Sequence, residues 1–154
     1  MLKCLNSILN QTYKDFEVVI IDHDSSDNTA EIIKSLNSDK IKYFLNKDNK
    51  GIASVRNFGI TKSQGDYIFF TDSDCIVSKN WIEEGMRILV NSEIAGVEGK
   101  TIAENQNFGA SQHFVENFNG DQYQTCNMGY KKFFLNECGM FNEKYKNAYE
   151  DIDL

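Results

Sequence analysis

The triplet Asp72-Ser73-Asp74 sets two carboxylates one residue apart, directly after the apolar run Tyr67-Ile68-Phe69-Phe70-Thr71. Carboxylates so spaced on a tight turn can share a divalent cation and its water shell while leaving positions open for diphosphate oxygens. An isolated triplet is a weak signal, because many such triplets are solvated turns. A second acidic stretch, Asp22-His23-Asp24-Ser25-Ser26-Asp27, also follows an apolar run, and Glu150-Asp151 stand side by side near the end. On spacing alone that last pair reads as acidic residues favouring a helix N-terminus. Cys75 adjoins Asp74 without an acid-base partner nearby in sequence, so no chemistry is assigned to it.

These residues need elements to hold them. Leu2, Leu5, Ile8 and Leu9 recur at helical spacing, and Asn10-Gln11-Thr12 closes that segment. Phe16 to Ile21 is a short β-branched run suited to a buried strand, and Asp27 stands where an N-cap would, ahead of Ile32, Ile33 and Leu36. A strand over Ile41 to Leu45, a helix from Gly51 to about Lys62 and a strand over Tyr67 to Thr71 continue the alternation. A helix from about Lys79 to Val90 and a strand from Ile94 to Val97 follow. Thr101 to Asn119 reads as a loop with an irregular helix, Gln124 to Tyr130 as a strand, and Phe133 to Leu135 as a short helix before the break at Gly139. This rhythm predicts an α/β fold with a mostly parallel sheet, where ligands gather at the carboxyl ends of the strands. Both acidic stretches, at 22–27 and 72–74, fall at such ends.

The whole is expected to be one domain, since 154 residues with 41% hydrophobic content support one core without a compositional break. A net charge of -7 with scattered basic residues excludes nucleic acid as a partner. The same charge is compatible with a nucleoside diphosphate, provided a divalent cation reverses it locally. Cys4, Cys75, Cys126 and Cys138 show neither CxxC spacing nor a zinc pattern with His23 and His113, which fits a reduced, cytoplasmic chain. No apolar run is long enough to span a bilayer, so any membrane association would be peripheral, at the inner face and through other regions. Trp81 reads as a packing residue and His113 as a surface one.

Taken in order, the segments resemble a family 2 glycosyltransferase of the GT-A fold. The residues Leu5 to Tyr13, with Gln11-Thr12-Tyr13, are similar to the family's first-helix segment. Val19 to Thr29 resembles its acidic stretch after the second strand, with His23 where acid is usual. Asn49-Lys50-Gly51 and Arg56-Asn57-Phe58-Gly59 resemble Asn-x-Gly and Ala-Arg-Asn-x-Gly elements, with Val55 in place of the alanine. Gly65-Asp66-Tyr67 through Asp74 resembles the strand leading to the Asp-x-Asp motif. Asn127 to Lys132 and Cys138 to Glu143 resemble the segment before the acid pair, and Tyr149 to Leu154 the Glu-Asp motif itself.

The resemblance implies a Rossmann-like, three-layer α/β/α sandwich that binds nucleotide-diphosphate sugars. It further implies that the family's first, central strand is missing here and that the chain is truncated at both ends. By the same resemblance Asp22 and Asp24 would bind base or ribose, and Arg56 would lie near the diphosphate. Asp74 would ligate Mn2+ or Mg2+ directly, and Asp72 would touch ribose or a metal-bound water. Asp151 would act as catalytic base on the acceptor hydroxyl, with inversion, and Glu150 would support it. The acceptor would be a sugar, a lipid-linked molecule or a protein, in polysaccharide, glycan or glycolipid synthesis. Two rival readings remain: a non-catalytic nucleotide-sugar-binding fragment, and a nucleotidyltransferase, for which a glycine-rich, basic phosphate loop is lacking.

Overall fold

In the computed structural model, residues 1–48, 51–103, 116–120, 122–145 and 154 are described. Helix α1 (Leu2–Leu9) buries Cys4, Leu5 and Ile8 along one stripe. Strand β1 (Val18–Asp22), helix α2 (Thr29–Ser35) and strand β2 (Ile41–Leu45) follow, and β1 pairs with β2 in parallel, Val18 opposite Ile41 and Asp22 opposite Leu45. Next come α3 (Ile52–Lys62), β3 (Tyr67–Phe70), α4 (Trp81–Leu89), β4 (Gly96–Glu98), β5 (Met128–Lys131) and α5 (Lys132–Glu137). β5 lies between β3 and β4 and runs antiparallel to both. Pairing is therefore mixed: parallel in the β1–β2 half, antiparallel in the β3–β5–β4 half.

Helices cover both faces of the strands, giving the expected three layers. On one face Cys4, Leu5 and Ile8 of α1 and Ile33 of α2 pack on Val18, with Ile20, Ile41 and Tyr43 against them. On the other, Ala53 and Ile60 of α3 and Leu135 of α5 pack with Phe141 against Ile68, Phe70 and Tyr130. Leu154 rests on this second cluster. Strand alternation explains the division, because Phe69 points opposite to Ile68 and Phe70 and meets α4. Its ring lies so close to Gly85 and Gly129 that a Cβ would fall 2.3 Å and 2.8 Å from Cε1. Full burial of each large apolar side chain, such as Ile60, Leu89, Leu135 or Phe141, contributes about 1.5–3 kcal/mol before entropy is counted.

β1 and β3 carry no ladder to each other among the described residues. Side chains join the two halves instead. Glu17, just before β1, accepts the backbone N–H groups of Gln64 and Gly65, just before β3, and pairs with Lys42 at 2.6 Å. These bonds bring the starts of the two strands together, while Asp22 ends β1 and Asp72 follows β3.

Several boundaries differ from expectation. Asn28, not Asp27, holds the N-cap position of α2, and the Asp27 carboxylate accepts the Thr29 N–H at 3.0 Å. The strand expected over residues 124–130 starts at Met128, after a 3₁₀ turn at Thr125–Asn127. Asn127 accounts for that turn: its side chain accepts from Trp81 Nε1 at 2.8 Å and donates to Lys100 O at 3.0 Å. Of the irregular stretch expected from Thr101 to Asn119, the described part forms a bridge between Thr101 and Asn117. No helix among the described residues is long and apolar enough to cross a membrane. All four cysteines are free thiols.

Candidate functional site

Asp72 and Asp74 are exposed immediately beyond β3, on a turn closed by the Cys75 N–H bond to Asp72 O at 3.1 Å. Helix α1 holds the backbone of this turn and of the loop after it. Cys4 Sγ donates to Asp72 O at 3.3 Å, and the Val77 N–H donates to Ser7 Oγ at 3.1 Å. Gln11, fully buried, donates from Nε2 to Ser78 O at 2.7 Å and Ser7 O at 3.1 Å, and accepts the Ile82 N–H on Oε1 at 3.0 Å. Ile82 lies in the first turn of α4, so Gln11 satisfies a donor that the helix itself leaves unpaired. The Thr12 N–H adds a bond to Lys79 O at 2.9 Å. Sequence reasoning missed this role for Gln11, which reads locally as a polar residue ending a helix.

Asp22 ends β1 and is buried, with 5% of its surface exposed. Its Oδ1 accepts the Ser25 N–H at 2.8 Å and its Oδ2 accepts the Tyr43 hydroxyl at 2.6 Å. Burial raises the carboxyl pKa, but hydrogen bonds from Ser25 and Tyr43 outweigh it and hold Asp22 below the usual carboxylate range. Tyr43 is correspondingly pushed up by that bond. Asp24 is exposed, with φ 57, a left-handed conformation that aspartate tolerates better than most residues. His23 beside it is exposed as well.

On α3, the Arg56 guanidinium carbon lies 5.6 Å from the centre of the Phe141 ring. Its neighbour Asn57 is buried and fixes the same residue by the backbone: Nδ2 donates to Phe141 O at 2.8 Å, and Oδ1 accepts the Phe141 N–H at 2.9 Å. A third bond runs from Nδ2 to Glu143 Oε1 at 3.1 Å. Trp81, half-buried, packs edge-on against Phe69 at 5.4 Å. Burial pushes the Cys4 and Cys75 thiols up, and Cys126 to about 11. Glu150, Asp151 and His113 lie outside the described residues.

Two exposed carboxylates on one turn suit a cation that takes part of its coordination from water and substrate phosphates, as Mg2+ and Mn2+ do. Among the described residues, no group of three or more His, Cys, Asp or Glu side chains could hold a metal ion.

The glycosyl transferase family 2 profile matches residues 1–146. The chain belongs to this family. Among glycosyltransferase relatives, GlyA of Streptococcus pneumoniae is 30% identical over 153 residues, covering 99% of this chain and 20% of that protein. The structure of S. aureus TarS 1-349 in complex with UDP matches with TM-score 0.78 and 22% identity, over 97% of this chain and 48% of that one. Mannosyltransferase PcManGT from Pyrobaculum calidifontis, in complex with GDP-Man and Mn2+, matches with TM-score 0.68 and 16% identity, over 90% and 42%. These neighbours establish the GT-A fold for this family 2 chain, which spans less than half the length of each of the three.

Proposed function

We propose that this chain is the donor-binding part of a metal-dependent, inverting glycosyltransferase. It would move a sugar from a nucleoside diphosphate to the hydroxyl of a sugar, lipid-linked or protein acceptor, in polysaccharide, glycan or glycolipid synthesis. The observation that carries the reading is the exposed Asp72–Asp74 turn at a strand's carboxyl end, braced by α1 through backbone bonds, in a family 2 chain. Asp74 ligates Mn2+ or Mg2+, and Asp72 contacts ribose or a metal-bound water. When bound, the cation neutralises charge on the departing nucleoside diphosphate. Asp22 and Asp24 receive base and ribose, and Arg56 pairs with diphosphate oxygens. Asp151 takes the proton from the attacking acceptor hydroxyl, and Glu150 supports it. The chain works in the cytoplasm, with membrane contact supplied by other regions.

Support for the donor class comes from the nucleotides in the TarS and PcManGT structures. Calorimetry with UDP- and GDP-sugars, with MnCl2 and with EDTA, tests it. Binding should require the metal and should fall at least tenfold in Asp74→Asn. Equal binding in EDTA, or an unaffected Asp74→Asn, would overturn the metal site. Metal-dependent binding without turnover in a full-length parent would favour a binding module, and chemistry requiring pyrophosphate would favour a nucleotidyltransferase.

A further inference from the structure

Tyr43 belongs to none of the motifs that mark the donor site, yet it holds one of that site's carboxylates. In the parallel register Ile20 lies opposite Tyr43 and Asp22 opposite Leu45, so residues 20, 22, 43 and 45 share one face of the sheet. The Tyr43 ring is packed against the apolar cluster of α1, α2 and β1 on that face. Its hydroxyl then reaches one pleat along the strands to Asp22 Oδ2 at 2.6 Å. A ring fixed by packing makes a directional donor, unlike a side chain free to rotate in water.

The Ser25 N–H on Oδ1 at 2.8 Å restrains one end of the carboxylate. Rotation about the last bond of an aspartate is otherwise loosely restricted. Two donors, one on each oxygen, set the carboxylate plane. Each oxygen keeps a second lone pair with which to meet a ligand.

We propose that Tyr43 is a positioning residue for donor selection: by gripping Oδ2 it fixes the plane of Asp22, and so the directions from which a nucleobase or ribose donor can be accepted. This rests on the reading of Asp22 as a donor-binding residue. Tyr43 itself touches no substrate.

The test titrates the wild-type chain, Tyr43→Phe, Asp22→Asn and the double variant with UDP, GDP and inorganic pyrophosphate, each with MnCl2. Tyr43→Phe keeps the ring and deletes the hydroxyl. It should weaken the preferred nucleoside diphosphate by about five- to tenfold, the scale of one ordinary hydrogen bond. It should also narrow the preference between UDP and GDP while leaving pyrophosphate binding within about twofold of wild type, since the metal turn is untouched. In the Asp22→Asn background, Tyr43→Phe should add no further loss.

Wild-type affinity in Tyr43→Phe beside weakened binding in Asp22→Asn would overturn this proposal and leave the donor reading standing. Unchanged binding in Asp22→Asn, or no binding of UDP and GDP by the wild-type chain, would overturn both. Equal weakening of pyrophosphate and nucleotide would show general loosening and would also overturn it. Should Tyr43→Phe fail to fold, Tyr43→Met, apolar and of similar reach, is held to the same pattern.

Discussion

Replacing Asn57 with alanine isolates a contact between distant parts of the chain, because its amide holds the Phe141 backbone across 84 residues of sequence. The substitution removes buried bonds of 2.8 Å and 2.9 Å to Phe141 and the 3.1 Å bond to Glu143. The two buried bonds contribute about 1 kcal/mol each, and the stranded Phe141 groups cost about 2 kcal/mol more where water does not reach them, for a total near 2–4 kcal/mol. For a chain of this size each kcal/mol corresponds to roughly 2–4 °C in the midpoint, so Tm should fall by about 5–15 °C. Urea unfolding followed by Trp81, the one tryptophan, reports the global transition, since Trp81 packs on Phe69 away from Asn57. The midpoint should fall with the slope unchanged. Asn57→Asp should be as unstable as Asn57→Ala at neutral pH, because it faces the Phe141 carbonyl and the Glu143 carboxylate with acceptors only, and should recover partly in acid. A loss of less than about 0.5 kcal/mol in Asn57→Ala, the range of surface substitutions, would refute the reasoning.

Gly85→Ala gains about 1 kcal/mol in helix propensity, but its Cβ would sit 2.3 Å from Phe69 Cε1. That ring is also confined by Gly129, so overpacking should win and leave a net loss of about 1–2 kcal/mol in thermal unfolding, and a stabilised variant would show the contact to be soft. Asp22 titrates lower in the fold than unfolded, so its contribution is complete above the ordinary aspartate value of about 3.9 and is lost as pH drops through the lower folded value. The stability gap between wild type and Asp22→Asn should therefore be constant at neutral pH and shrink below about pH 4; a constant gap to pH 2 would contradict the bonds from Ser25 and Tyr43. Under iodoacetamide at pH 8, peptide mass spectrometry should find exposed Cys138 alkylated first and buried Cys126, its pKa near 11, last. Early labelling of Cys126 would contradict its burial.

Helices α1 and α2 were legible because their apolar residues recur at helical spacing, and strands β1 and β3 because each is a short continuous apolar run. The acidic stretches could be placed at strand ends for the same reason. Other features depend on partners far along the chain, which local pattern does not encode. Gln11 reads as a helix stop, yet its bonds reach residues 67 and 71 positions away. Tyr43 reads as one more strand residue until parallel pairing brings it beside Asp22. The antiparallel return of β5 was hidden too, because it is set by pairing with β3 and β4, whose residues lie far from it along the chain. The Asp-x-Asp turn gained its meaning from the ordered set of motifs, since two acids on a loop are common.

The bonds that α1 and Gln11, just after it, make to residues 72, 77, 78 and 82 all end on main-chain atoms. A loop gripped in this way is indifferent to the identity of the side chains it displays. Exposed positions such as Ile76 can therefore drift among amino acids, and with them whatever the surface meets, without moving the two acids that precede them. Scaffold and selectivity can then change at separate rates, which makes this stretch a natural place to retune the protein by substitution.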